Sequence, residues 1–190
     1  MRARFVNEDI SNILRGKSTQ EILNSVDPYE LLLHAAFKND LELAQAAIDR
    51  LGRDTTIDPE EGSPISFALA GNKPGHRMIK LLIDNGFEVS PSNVASLTKL
   101  YKQDVEENLK ILDLLINTGV DLSIGLVSAA EKNNLEAVKK MVEAGANVNA
   151  KTHIGTPLSN AMRHTNPSDF AYAGSKDELI NYLKNKGAKQ

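Results

Sequence analysis

The sequence predicts an all-α chain built from pairs of short helices that repeat along its length. Four segments, MIKLLIDNG, ILDLLINTG, AVKKMVEAG and LINYLKNKG, share spaced apolar residues followed by a polar pair and glycine. Short stretches rich in small residues lie upstream of them. With 190 residues and 41% hydrophobic residues, the chain has the composition of an ordinary globular protein, which excludes disordered and collagen-like classes.

The four glycine-terminated segments predict the second helix of each pair. They end at Gly86, Gly119, Gly145 and Gly187, and a looser copy ends at Gly52. Glycine adopts the left-handed backbone that stops a helix without the steric penalty of a Cβ. The intervals scatter around about 33 residues, a spacing typical of a solenoid of helix pairs.

The stretches of small residues predict the first helix of each pair, since alanine lets neighbouring helices approach closely. Two of these helices begin with a small residue, proline and an aliphatic residue, and Ser63 and Thr156 could cap them. The stretches run from His34 to Ala36, Phe67 to Leu69, Val94 to Tyr101, Ser128 to Ala130 and Asn160 to Met162.

These motifs resemble those of the ankyrin-repeat family. Residues 145–158, GANVNAK followed by GTPL, are similar to the family's GADVNAK and GxTPLH, and residues 133–142 are similar to its GxLExVKxLL stretch. The resemblance covers five units over about residues 27–190. It implies an ankyrin-repeat solenoid of helix pairs with two short hairpin fingers and an N-terminal helical cap.

Departures from the family pattern concern the fingers and the connections. Ser66 and Ser159 replace the usual histidine, and only the segments Arg53 to Gly62 and Ala146 to Gly155 have room for a finger. After Gly86 and Gly119 the next helix should begin within about six residues. Extra length falls inside units instead, at residues 71–75, 102–106 and 166–174.

Residues 1–26 lie before the repeats and predict two short helices, Asn7 to Leu14 and Ser18 to Val26. Their apolar residues could cover the open edge of the first repeat, because a terminal repeat needs a polar outer face. A partner-binding arm is the alternative. We therefore predict a cap over residues 1–26 and a repeat domain over residues 27–190.

Composition argues against several classes of function. The chain has no cysteine and a net charge of −3, so we expect no disulfide, no thiolate metal site, and neither a nucleic acid nor a membrane as partner. The start does not read as a signal peptide, and we expect a cytoplasmic protein. The four histidines lack metal-ligand spacing, and Ser11 replaces a glycine that a phosphate-binding loop around Lys17 would need. We expect no cofactor, metal or catalytic residue.

The resemblance implies that first-helix residues form a concave, pre-formed surface that binds a protein partner. We expect a non-catalytic module, monomeric on its own, that inhibits or neutralises this partner. A structural or assembly adaptor is the alternative, and an enzyme with an unrecognised site is the third. The expected contact residues are His34, Phe37, Phe67, Tyr101, Glu131, Lys132, Asn160, Arg163 and His164, with Glu60 and Glu61 of the first finger.

Two of these assignments carry specific expectations. Phe67 should be exposed and should anchor the partner, because aromatic residues dominate interface energetics. Tyr101 lies where the helix register is ambiguous, so it could belong to the core. The acidic residues of the first finger could steer a basic partner, although such a run is usually a solvated loop.

Overall fold

The computed structural model describes residues 16, 19–52, 62–71, 73–99, 104–163 and 175–189. They belong to two compact units, Met1–Glu88 and Val89–Gln190. The described residues form helices and a single isolated β-bridge, which confirms the all-α prediction for this part of the chain. None of the described helices is long and apolar enough to cross a membrane.

Among its described residues, the first unit has one short leading helix and two helix pairs. Helix α2 packs against both α3 and α4, while α3 packs against α5 and the leading helix α1 packs against α3. The core is aliphatic and includes Leu31, Leu32, Ile65 and Ile79, all without exposed surface. The helices are α1 (Thr19–Ser25), α2 (Pro28–Lys38), α3 (Leu41–Leu51), α4 (Pro64–Ala70) and α5 (His76–Asp84).

Three helix pairs are present in the described part of the second unit. The first helices α6, α8 and α10 pack in sequence, and each contacts the second helix of its own pair. Gly125 lets α6 and α8 approach closely, because a Cβ there would lie 2.4 Å from Cγ1 of Val94. The helices are α6 (Pro91–Lys99), α7 (Val105–Asn117), α8 (Ser123–Glu131), α9 (Leu135–Glu143), α10 (Pro157–Met162) and α11 (Lys176–Asn185).

The ends of the second helices confirm the glycine prediction. The φ angle is positive at all five glycines that follow these helices, which only glycine adopts without strain. The values are 68° at Gly52, 88° at Gly86, 77° at Gly119, 93° at Gly145 and 86° at Gly187.

Two first helices end in an asparagine turn, defined as Asn39-Asp40 in the first unit and Asn133-Asn134 in the second. Asn39 and Asn133 are left-handed, with φ of 58° and 56°. The next residue then caps the second helix: Asp40 Oδ1 accepts from the Leu43 amide at 3.1 Å, and Asn134 Oδ1 accepts from the Ala137 amide at 3.1 Å.

The two predicted caps on first helices differ. Thr156 forms a reciprocal capping box with Ser159, with N···O distances of 2.9 and 3.2 Å. The prediction that Ser63 caps α4 is wrong, because its side chain makes no cap hydrogen bond. Its Oγ is buried and has no partner among the described residues.

The predicted fingers and cap are described only in part. Within Ala146 to Gly155, two backbone hydrogen bonds of 3.0 and 3.1 Å pair Thr152 with Gly155. In the other finger, residues 53–61 lie outside the described residues. The helix predicted from Ser18 is present as α1, whereas Asn7 to Leu14 lies outside the described residues.

Candidate functional site

The carboxyl ends of the first helices carry the predicted contact residues that reach the surface. Phe37 is half-buried at the end of α2, and the Lys38 ammonium lies 5.7 Å from the centre of its ring. Glu131 and Lys132 are half-buried at the end of α8, and Arg163 is exposed directly after α10. The candidate site therefore consists of helix ends: that of α2 in the first unit, and those of α8 and α10 in the second.

Three predicted contact residues are buried, which corrects the expectation that they face solvent. His34, Phe67 and Asn160 are 4%, 9% and 2% exposed. Each of them is the first residue of its small-residue stretch, so the three occupy the same position of the repeat. The expectation that Phe67 is exposed is therefore wrong, and its role in binding a partner stays a prediction.

Phe67 and Asn160 are buried because their side chains fold back onto the loop before their own helix. A Cβ on Gly62 would lie 3.1 Å from the Phe67 ring, so that glycine provides the space that the ring covers. Asn160 Nδ2 donates to the Ile154 carbonyl at 2.9 Å and to the Thr156 carbonyl at 3.0 Å. These side chains fix the entry to the helix and leave little area for a partner.

His34 is buried on α2, the helix of the first unit that packs against both α3 and α4. Burial is the largest cause that lowers the pKa of its imidazole, the positive charge of Lys38 lowers it further, and Asp40 acts in the opposite direction. The neutral form is therefore favoured in the folded state.

The remaining predicted contact residues, Tyr101, His164, Glu60 and Glu61, lie outside the described residues. Their predicted roles stay predictions.

Met162 is an exposed residue that the sequence reasoning missed. It is 37% exposed at the last position of α10. The sequence contains a signal for this exposure: two other first helices have a small residue at this position, and both residues, Ala36 and Ala130, are buried. Methionine is longer than alanine, and at this position part of its side chain is exposed.

Lys176 joins the same edge of the second unit. Its ammonium donates to the backbone carbonyl of Arg163, the residue directly after α10. A cation at the carboxyl end of a helix is favoured by the helix dipole. This contact holds the Lys176 ammonium against the backbone of Arg163.

An open groove lies between α9 and α11 of this unit. The Tyr182 hydroxyl beside it is shielded from solvent and has no hydrogen-bond partner among the described residues. Burial is the main cause that raises the pKa of this phenol, and nearby Glu143 also raises it. The groove is lined by Leu135, Lys139, Ser175, Asp177, Glu178, Asn181, Tyr182 and Asn185.

The chemistry of these residues is that of recognition by contact and charge. Within the described residues, no group of three histidine, aspartate or glutamate side chains could hold a metal ion. The helix ends offer a half-buried aromatic ring, an exposed methionine and several exposed or half-buried charged residues, the residue types that are found at protein interfaces.

Comparison with known protein families finds a match over one region of the chain. Residues 126–153 match the model of the ankyrin repeat. The match begins in α8, includes α9, and ends in the finger that contains the Thr152–Gly155 bridge. No curated protein matches the chain.

Proposed function

Since residues 126–153 form an ankyrin repeat and the helical architecture fits an ankyrin-repeat protein, we propose that this chain is a non-catalytic module that binds and inhibits a protein partner. An ankyrin repeat suggests a protein–protein interaction module. The proposal adds where the partner binds, which is at the carboxyl ends of the first helices within each unit, and what the binding does.

The observation that carries the proposal is the mixture of side chains at these helix ends. Phe37, Glu131, Lys132 and Arg163 all reach the surface, while the residues behind them are held by packing. A surface displayed by packed helices is formed before the partner arrives, so binding carries a small ordering cost. Aromatic and arginine residues are enriched among the residues that dominate interface energy.

Capture from a native cell extract tests the proposal. The full chain is used as bait beside a Glu131→Lys variant and a matched Glu143→Lys control, in which the same change is made on an exposed second-helix residue. We expect one dominant stoichiometric protein, whose capture changes with Glu131→Lys and is unchanged with Glu143→Lys.

The inhibitory role is tested with the captured protein. Adding the purified chain should lower the activity of that protein in proportion to the complex formed. Several members of one assembly, captured together with their activities intact, would favour an adaptor. Capture of no protein, together with turnover of a small molecule by the chain, would contradict the proposal.

A further inference from the structure

At the carboxyl end of α10, an exposed apolar side chain lies next to positive charges. Met162 is 37% exposed, and Arg163 follows it directly. Methionine is flexible and polarisable, and it is over-represented at surfaces that adapt to a partner. Exposed Met and Arg together have the composition of the centre of an interface.

The end of α8 adds to this surface. The first helices α8 and α10 pack against each other, as α2 and α4 do in the first unit. A Cβ on Gly71, directly after α4, would lie 2.2 Å from the carbonyl oxygen of Phe37 in the last turn of α2, so the carboxyl ends of those two helices are in contact. By the same repeat geometry, the carboxyl ends of α8 and α10 lie at one edge of the second unit. Lys132 and Glu131 lie at the end of α8, and Lys176 binds the carbonyl after α10.

We define the Met162 patch as Met162, Arg163, Lys132, Lys176 and Glu131. It carries three cations and one carboxylate, although the whole chain has a net charge of −3. The ion pairs between described residues lie elsewhere, at Lys80–Asp84, Lys110–Glu106, Lys139–Glu136 and Lys140–Asp113.

We propose that the Met162 patch binds an acidic segment of the partner that inserts one apolar side chain against Met162. This inference rests on the proposed function and names the chemistry of the partner. The apolar contact removes the methionine side chain from water, and carboxylates on either side of it pair with Arg163 and Lys132. Arg163 can bind a carboxylate through two parallel N–H groups, which adds orientation to attraction.

A phage-displayed library of random dodecapeptides, selected on the full chain, tests this proposal. We expect the recovered peptides to carry an apolar residue flanked by aspartate or glutamate. Their affinity should fall at least about tenfold on Met162→Ser and on Arg163→Glu. It should rise on Glu131→Lys, which removes the one carboxylate of the patch, and it should weaken as salt is added.

Lys184→Glu is the matched control, because Lys184 is exposed on α11 in the same unit. It should leave affinity unchanged, and thermal melting of every variant separates lost binding from unfolding. Recovered peptides without an acidic bias, equal affinity on Met162→Ser, or a selection that yields no binder would overturn the proposal. A partner captured from the native extract in these cases would leave the proposed function standing without this site.

Discussion

The Phe67 ring covers Gly62 and contributes to the packing around α4. Truncation to alanine would remove most of a buried aromatic side chain and leave a cavity. We expect Phe67→Ala to lower the free energy of unfolding by about 3 kcal/mol, measured by urea denaturation. Phe67→Leu should cost less, because more of the volume is kept.

The opposite outcome at Phe67 would be informative. Unchanged stability of Phe67→Ala with lost binding of the captured partner would show that this ring is an interface residue. The register of α4 described above would then be wrong.

Protonation of His34 should weaken the first unit. Its pKa in the folded state lies below the ordinary value of 6.5, with burial as the main cause. The unfolded chain therefore binds more protons between the folded pKa and 6.5, so stability is full above that range and falls as the pH drops through it. Urea denaturation at a series of pH values measures this effect.

His34→Gln supplies the comparison for the pH series, since glutamine is polar and does not titrate. The fall in stability just below pH 6.5 should be smaller in this variant than in the original chain. An identical pH dependence in both would assign the effect to other groups.

The starts of helices α4 and α10 look alike in sequence but differ in structure. Thr156 is bonded within its capping box, whereas Ser63 makes no cap bond. We expect Thr156→Ala to lower the free energy of unfolding by about 1 kcal/mol. Ser63→Ala should be neutral or stabilising, because it removes a buried hydroxyl that has no partner among the described residues.

The two alanine variants serve as controls for each other, since both change the residue before Pro at the start of a first helix. Thermal or urea denaturation of each measures the difference. If Thr156→Ala and Ser63→Ala lowered the free energy of unfolding equally, the hydrogen bonds of the capping box would add no measurable stability.

The helices and their ends could be predicted from sequence because the signals are local. Apolar spacing, alanine and proline placed the helices, and the glycines marked their ends. The residues that the surface exposes depend on contacts between elements. His34 and Asn160 read as surface residues, yet neighbouring helices and the preceding loop bury them. The sequence did not single out Met162, which is exposed at the end of α10.

In the second unit, α8 packs against both α6 and α10, and each first helix also contacts the second helix of its own pair. Removal of residues 146–190 would take away α10 and α11 and expose the face of α8 that packs on α10. Because contacts in such a stack are between nearest neighbours, the remainder should stay helical and soluble but melt at a lower temperature. Circular dichroism measures the helical content and the melting temperature.

A shorter deletion, of residues 187–190, is the control for this truncation. It removes the contacts of Asn149 with Gly187 and Lys189, with distances of 3.1 and 2.7 Å, and leaves the helices in place. Its effect on the melting temperature should be smaller. A melting temperature unchanged by the longer deletion would contradict nearest-neighbour stacking.

The asparagine turn also bears on where this chain can change its length. At Asn39-Asp40 and Asn133-Asn134, a left-handed residue and a helix cap are adjacent, so an inserted residue would separate two features that depend on each other. The other helix pairs are joined by longer connections, between Ala70 and His76, Lys99 and Val105, and Met162 and Lys176. We expect a residue inserted into the longest of these connections, between Met162 and Lys176, to cost less stability than one inserted into an asparagine turn.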